Sequence, residues 1–422
     1  MDIKTFGSVC SGIECATLIF KPLGINPVWF SETSNFQCRL LEEKYPHIQN
    51  VGDMNNIPTL IDKEEIICPD LICGGTPCQA FSLAGYQSGL NDERGNLTLK
   101  FVDIVDTSDK IRIKNGLDRS VVLWENVEGV LTDKTNAFGC FISALSGTKD
   151  VLEFKKYPKA GVVRGSKRNV AWRVLDAKYF GVPQQRKRLY LIACDKKFNP
   201  ENILFEIGNS DIQKFKPKKL SFEKNGHNFE VFREYTDCLY SAYGTKWNGN
   251  AAAYNGSLFV VQDNRIRRLS PLECERLMGL PDEYTNIEKS KRTQRYQAIG
   301  NSWAIPVVRW IGERLISYNI ISENEINKKI NVNMLNENDC MFFCFDKVVE
   351  IENSITLNCS TIPNEIVESN IKDIISFHET EDIYISPVGC NGILRRSQEK
   401  GIRMNTRLKK VLEENAFKEV LY

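Results

Sequence analysis

The chain has 422 residues and a mass of 48.2 kDa, with 55 Lys and Arg against 54 Asp and Glu, 42% hydrophobic residues and 26% charged ones. Those proportions suit a folded globular protein of two or three domains and exclude global disorder, a collagen-like repeat and a small disulfide scaffold. No apolar run approaches the roughly 18–20 residues that cross a bilayer.

Short apolar runs alternate with helical stretches over the first 130 residues. Thr5–Cys10 is predicted as a strand, Gly12–Phe20 as a helix, Pro27–Ser31 as a strand, and Asn35–Tyr45 as a helix stopped by Pro46. Leu71–Cys73 and Ser120–Trp124 are predicted strands around a helix that includes Thr98–Val105. A helix over Trp172–Lys178 and a strand over Leu189–Cys194 follow. This alternation predicts an α/β fold with a mainly parallel sheet covered on both faces, its chemistry in loops beyond the carboxyl ends of the strands. Asp195–Phe229 is rich in Lys and Asn, and Tyr235–Val261 in Gly, Asn and Tyr, which reads as a separate loop-rich unit. Helical pattern resumes where Ser270 caps and Pro271 takes the first helical position, and again over Ala304–Asn319. Beyond lie an apolar segment, Met341–Phe345, and a basic pair of helices.

The charge is unevenly spread. Ile320–Ser386 holds 13 acids and 4 bases, net −9, and Pro387–Tyr422 holds 8 bases and 4 acids, net +4, so residues 1–319 carry +6. A mildly basic body permits a polyanionic partner. The 14 cysteines sit largely in apolar runs, as reduced thiols of a cytoplasmic protein do, and no secretory signal pattern is visible at the start. With three histidines and no Cys-x-x-Cys pair, no metal site is expected.

The sharpest feature is Gly74-Gly75-Thr76-Pro77-Cys78-Gln79, directly after a predicted strand. The glycines permit a tight turn, Pro77 fixes φ, and the Cys78 thiol is left at a sheet edge, where helix dipoles or cations can make it nucleophilic. The strand over Val121–Trp124 ends in Glu125-Asn126-Val127, a carboxyl placed for the same crevice. Together the two pieces resemble the DNA cytosine-5 methyltransferases, and the ordered motifs of that family can be traced over residues 1 to about 319.

The resemblance implies a Rossmann-like domain dependent on S-adenosyl-L-methionine over 1–199, a target recognition domain over 200–270, returning helices over 271–319, and an extension over 320–422 outside the family pattern. It implies that Cys10, Ser11, Gly12, Ile13 and Glu14 form the cofactor loop, although the family usually has Phe and a second Gly where Cys10 and Glu14 stand. Glu32 matches the acid that meets the ribose hydroxyls, Asp53 the one that meets adenine, and Pro77, Asn301 and Ser302 complete the cofactor set. In catalysis Cys78 attacks carbon 6 of a flipped-out cytosine, Glu125 serves its N3 side, Arg186 holds its O2, and Arg188 closes the Gln-x-Arg-x-Arg motif. Gln79 and Arg94 flank a lid over Gln79–Glu93 and are expected on DNA, with Lys214, Lys216 and the neighbouring Lys218 and Lys219 on phosphates, and Tyr240, Tyr243, Lys246 and Trp247 at base edges.

The implied partner is double-stranded DNA, with no membrane and no metal. The resemblance implies a cognate restriction endonuclease as a further partner, and a monomer is expected. Two alternatives stand beside this reading. One is an RNA (tRNA) cytosine-5 methyltransferase, since a branch of the family acts on tRNA; the separate unit at 200–262 favours DNA, because a folded RNA is recognised by shape. The other is a non-catalytic DNA-binding relative, against which Cys78, Glu125 and Arg186 argue together. A Rossmann oxidoreductase is disfavoured because no Gly-x-Gly-x-x-Gly follows the first strand.

Overall fold

The computed structural model describes residues 1–76, 97–154, 156–208, 220–244, 254–318, 341–344, 348–351, 355–378 and 380–417. The chain divides into two compact units: Met1–Asp176 with Lys187–Asp211 and Val307–Ile366, and Ala177–Arg186 with Ile212–Pro306 and Val367–Tyr422.

The first unit is α/β. Its sheet uses β1 (Thr5–Val9), β2 (Asn26–Ser31), β3 (Leu71–Gly74), β4 (Val121–Val127), β5 (Ala160–Arg164), β6 (Arg168–Asp176) and β7 (Lys187–Asp195). In space the order is β5-β6-β7-β4-β3-β1-β2, with the strand Met341–Cys344 added beside β5. The β2-β1-β3-β4 side is parallel, connected through α1 (Cys15–Phe20), α2 (Asn35–Lys44) and α3 (Leu97–Lys114), whereas β7, β6, β5 and Met341–Cys344 pair antiparallel. Trp29, Trp124, Trp172, Phe101 and Phe141, the last from α4 (Ala137–Ser146), are in one apolar core with Val9, Ile72 and Leu191.

Of the segment predicted as a helix over Trp172–Lys178, Trp172–Asp176 is instead the end of β6, and only Ala177–Lys178 are helical, in a short 3-10 turn. Every residue of β6 is buried, so no alternation marks it as a strand. Arg173 is tolerated inside because its guanidinium donates to Glu206 and to the carbonyls of Leu204, Ser360 and Ile362. The last two lie in the C-terminal extension. So does the strand Ile355–Asn358, which pairs with Glu206–Ile207.

The second unit is built on an antiparallel sheet of β8 (Ser221–Lys224), β9 (His227–Val231), β10 (Phe259–Gln262) and β11 (Arg265–Arg268). Next come α5 (Pro271–Met278), with a full Ser270–Glu273 capping box, and α6 (Arg292–Asn301). The C-terminal helices α7 (Pro387–Glu399) and α8 (Thr406–Ala416) are a layer of this unit: Cys390, Ile393, Leu408, Val411 and Leu412 share a core with Phe232, Phe259, Val261 and Ile266. Arg267, fully buried, forks onto Glu273 at 2.8 Å and donates to the Ser376 carbonyl, a further tie to the tail.

Candidate active site

The carboxyl ends of β1, β2, β3 and β4 carry the chemistry-bearing residues of the first unit. After β1 the backbone turns through two left-handed residues, Cys10 (φ 50°) and Gly12 (φ 59°), and a third, Glu14 (φ 59°), before α1 begins. Non-glycine residues rarely hold that conformation, so the loop needs side-chain anchors. Glu14 supplies them. Its fully buried carboxylate accepts from the Thr17 amide and hydroxyl at 3.1 and 3.0 Å and from the Ser8 hydroxyl at 2.7 Å. Ser8 and Ser11 hydroxyls lie 2.7 Å apart, and Ser11 hydrogen-bonds the Ser31 backbone on β2. Glu14 therefore caps α1 and braces the loop from beneath; a cofactor ligand role for its carboxylate does not fit this orientation. Burial, outweighing those hydrogen bonds, pushes its carboxyl up to about 7.

Glu32, at the end of β2, accepts from the Gly12 amide at 2.8 Å and from the Thr33 and Ser34 amides at 2.9 and 2.8 Å. Asp53 is exposed and accepts from the Asn55 amide through one oxygen only. Burial, then the carboxylates of Glu32 and Asp53, push the Cys10 thiol up to about 12, and its sulfur lies 3.9 Å from that of Met54. Cys10, Glu32 and Asp53 thus lie close enough to act on one another, the half-buried Glu32 carboxylate keeping acceptor capacity for a diol and the exposed Asp53 for an amine. Those acceptors fit the ribose hydroxyls and the adenine amine of S-adenosyl-L-methionine.

β3 and β4 are paired in register, Gly74 with Trp124. Gly74 admits no side chain, because a Cβ there would meet the Val9 carbonyl at 2.4 Å. The loop that follows is pinned to β4: Trp124 Nε1 donates to Thr76 Oγ1 and Asn126 Nδ2 to the Thr76 carbonyl, both at 3.0 Å. The chain thus enters Pro77-Cys78 from a residue fastened beside Glu125. Pro77, Cys78, Gln79, the rest of the lid and Arg94 lie outside the described residues. Sequence reasoning gave no role to Thr76 or Trp124, and only the Glu-Asn-Val triplet hinted at Asn126.

Glu125 meets a cation. Arg188 Nε, on neighbouring β7, lies 3.1 Å from its Oε1, both side chains being nearly buried. Arg186, two residues earlier, belongs to the second unit and donates to the carbonyls of Leu239, Gly300 and Ser302. Its Nη1 and Nη2 are engaged by these carbonyls and by the Cys238 sulfur, and Arg188 is the arginine of the motif that meets Glu125. Asn301 and Ser302 also belong to the second unit, where the Ser302 hydroxyl donates to the Ile299 carbonyl. Tyr243, expected at a base edge, is instead core: 3% exposed, its hydroxyl donates to Leu258 and accepts from the Leu269 amide. Lys214, Lys216, Lys218, Lys219, Lys246 and Trp247 lie outside the described residues. Among the described residues there is no His/Cys/Asp/Glu cluster fit for a metal and no helix long and apolar enough to cross a membrane.

The sequence profile of the C-5 cytosine-specific DNA methylases matches residues 4–254 and 223–317. The chain belongs to that family. S-adenosyl-L-methionine is the family's methyl donor, in keeping with the acceptors Glu32 and Asp53. A relative from Escherichia phage P1, named a DNA N-6-adenine-methyltransferase, is 31% identical over 74% of this chain. The match spans 61% of that protein's length. The type II methyltransferase M.HhaI of Haemophilus parahaemolyticus is 27% identical over 68% of this chain and 89% of its own. The crystal structure of the S. pombe Dnmt2 methyltransferase is 14% identical, with a TM-score of 0.48 over 76% of this chain and 99% of its own.

Proposed function

We propose that the protein methylates carbon 5 of cytosine in a specific sequence of double-stranded DNA. The observation that carries this reading is the pinning of Thr76, two residues before Cys78, to the strand that presents Glu125 against Arg188. Carbon 5 of cytosine is a weak nucleophile. Attack of the Cys78 thiolate on carbon 6 pushes electrons toward N3 and makes carbon 5 enamine-like. Glu125, sharing a proton with N3, neutralises the charge that develops there, and Arg188 holds Glu125 and the cytosine O2 edge in place. The bound cofactor supplies an electrophilic methyl group. Loss of the C5 proton and departure of Cys78 then restore the ring.

The name of the phage P1 relative raises adenine N6 as another target. An exocyclic amine attacks the methyl group directly, without covalent activation of its ring, so a Pro-Cys turn beside a strand-end Glu would have no task there. The Gly/Asn-rich and Lys-rich segments of the second unit are the seat of sequence choice in this reading, because recognition is usually placed on loops held by a scaffold. Nucleoside mass spectrometry of DNA and RNA from cells expressing the chain, with bisulfite sequencing, tests it. 5-Methylcytosine in DNA within one sequence context is expected; N6-methyladenine in DNA, or 5-methylcytosine in RNA alone, would overturn the proposal.

A further inference from the structure

Several cations of the second unit already face carboxylates. Arg265 forks onto Glu381, Arg276 onto Asp282, and Arg292 reaches Asp382 at 2.6 Å. A phosphate arriving at any of them would have to displace an acid. The helical pair α7–α8 is different. From Arg395 to Lys410 the chain carries seven basic residues and one acid, Glu399. The apolar sides of both helices are turned into the core, so Arg395, Lys400, Arg403, Arg407, Lys409 and Lys410 are left exposed on the outside.

Of these, Arg395, Lys409 and Lys410 face an acid one turn on at 3.6, 3.8 and 3.9 Å. Such open surface pairs are weak and yield to a stronger anion. Lys400 and Arg403 make no ion pair among the described residues. They sit on the connection between the helices, and this connection is fixed. Gly401 takes a left-handed turn (φ 60°), the Ser397 hydroxyl donates to the Ile402 carbonyl, and the Asn405 amide donates to the Tyr254 carbonyl at 2.9 Å. Arg407 forks onto Glu230 of β9 at 2.7 Å through both nitrogens, and Asn415 Oδ1 accepts from the Ile266 amide of β11.

We propose that the outer face of α7–α8, led by Lys400 and Arg403 on the connecting turn, is a binding surface for the phosphates of the DNA duplex. This rests on the reading of DNA as substrate. The cations are spread over two helices and converge on no pocket, which suits an extended polyanion rather than a small anion. Contacts of this kind position a duplex and raise affinity without reading sequence.

The test is duplex binding by the full chain across a salt series, for wild type and for Lys400→Ala with Arg403→Ala. About tenfold weaker binding is expected on cognate and unrelated duplexes alike, with the log–log salt dependence flattened by about two units. S-adenosyl-L-methionine affinity and melting temperature should not move, since neither side chain is buried. A second variant, Arg395→Glu with Lys410→Glu, should weaken binding further. If wild type binds and methylates DNA while both variants keep its affinity and salt slope, this inference falls and the substrate reading stands. If wild type binds a folded RNA more tightly than any duplex, both fall.

Discussion

Arg188 and Glu125 form an ion pair at 3.1 Å between adjacent antiparallel strands, with 14% and 12% of their side chains exposed. Removing the cation takes away the ion pair that holds this nearly buried carboxylate and lets the side chain wander. Arg188→Ala is expected to lower kcat for methyl transfer by about 100-fold, the scale of a mispositioned acid–base group. Arg188→Lys should recover only part, since an ammonium lacks the planar fork. Steady-state kinetics with calorimetry for the cofactor check this; turnover within threefold of wild type in the Ala variant would place the pair outside the machinery.

Glu14 makes stability depend on pH. Its folded-state carboxyl titrates at about 7, above the ordinary 4.5, so the fold prefers the neutral acid. The associated stability is fully present below about pH 4.5 and is lost as pH rises through 7, a change of about 3 kcal/mol. Melting temperatures of wild type should therefore fall between pH 5 and 8 more steeply than those of Glu14→Gln, which keeps the hydrogen-bonding shape without the charge. Parallel curves for the two proteins would remove Glu14 as the source.

Glu32→Ala is expected to weaken S-adenosyl-L-methionine binding by about 10- to 150-fold, the equivalent of ~1.5–3 kcal/mol for a charged hydrogen-bonded contact. The loss has two origins: the diol loses its acceptor, and the Gly12 amide loses the carboxylate that shapes the loop. Duplex affinity should be nearly unchanged, and calorimetry with a gel-shift titration reads both.

Leu412→Ala probes the tail. Leu412 is fully buried in the core that the tail helices share with the antiparallel sheet, so its truncation should cost ~2–5 kcal/mol in the urea transition of the second unit. Cofactor affinity should hold to the extent that Glu32 and Asp53 of the first unit carry it.

Cys78→Ser should abolish methyl transfer while cofactor binding stays near normal. Duplexes with 5-fluorocytosine should trap a covalent adduct with wild type, because fluorine cannot leave as a cation. An adduct that still forms with Cys78→Ala would place the nucleophile elsewhere.

The parallel half of the sheet was readable because β1 to β4 are short apolar runs bounded by turn residues and by helices of clear period. β6 was not, since a strand buried on both faces lacks alternation and Arg173 within it looks like a helix-surface charge. At the site, Cys78, Glu125 and Glu32 stand out through motif spacing. The division of labour between Arg186 and Arg188 does not, because two residues of one motif look alike until their hydrogen-bond partners are known. Tyr243 likewise reads as a recognition aromatic in a Gly/Asn-rich stretch, whereas the partners that bury it, Leu258 and Leu269, are 15 and 26 residues away. The amphipathic tail helices show their apolar stripes plainly, but the sheet they cover is more than 100 residues upstream in the chain.

The chain passes between the two units five times, at 176/177, 186/187, 211/212, 306/307 and 366/367. Its second unit is therefore not a cassette in the gene. Recombination that imported a foreign segment for residues 212–306 alone would pair a new sheet with the old helices α7 and α8, whose Ile393, Leu408 and Leu412 are shaped to Phe259 and Val261. A foreign sheet should be tolerated only by joint exchange of both segments, and chimaeras with a single junction pair should fail at the level of folding.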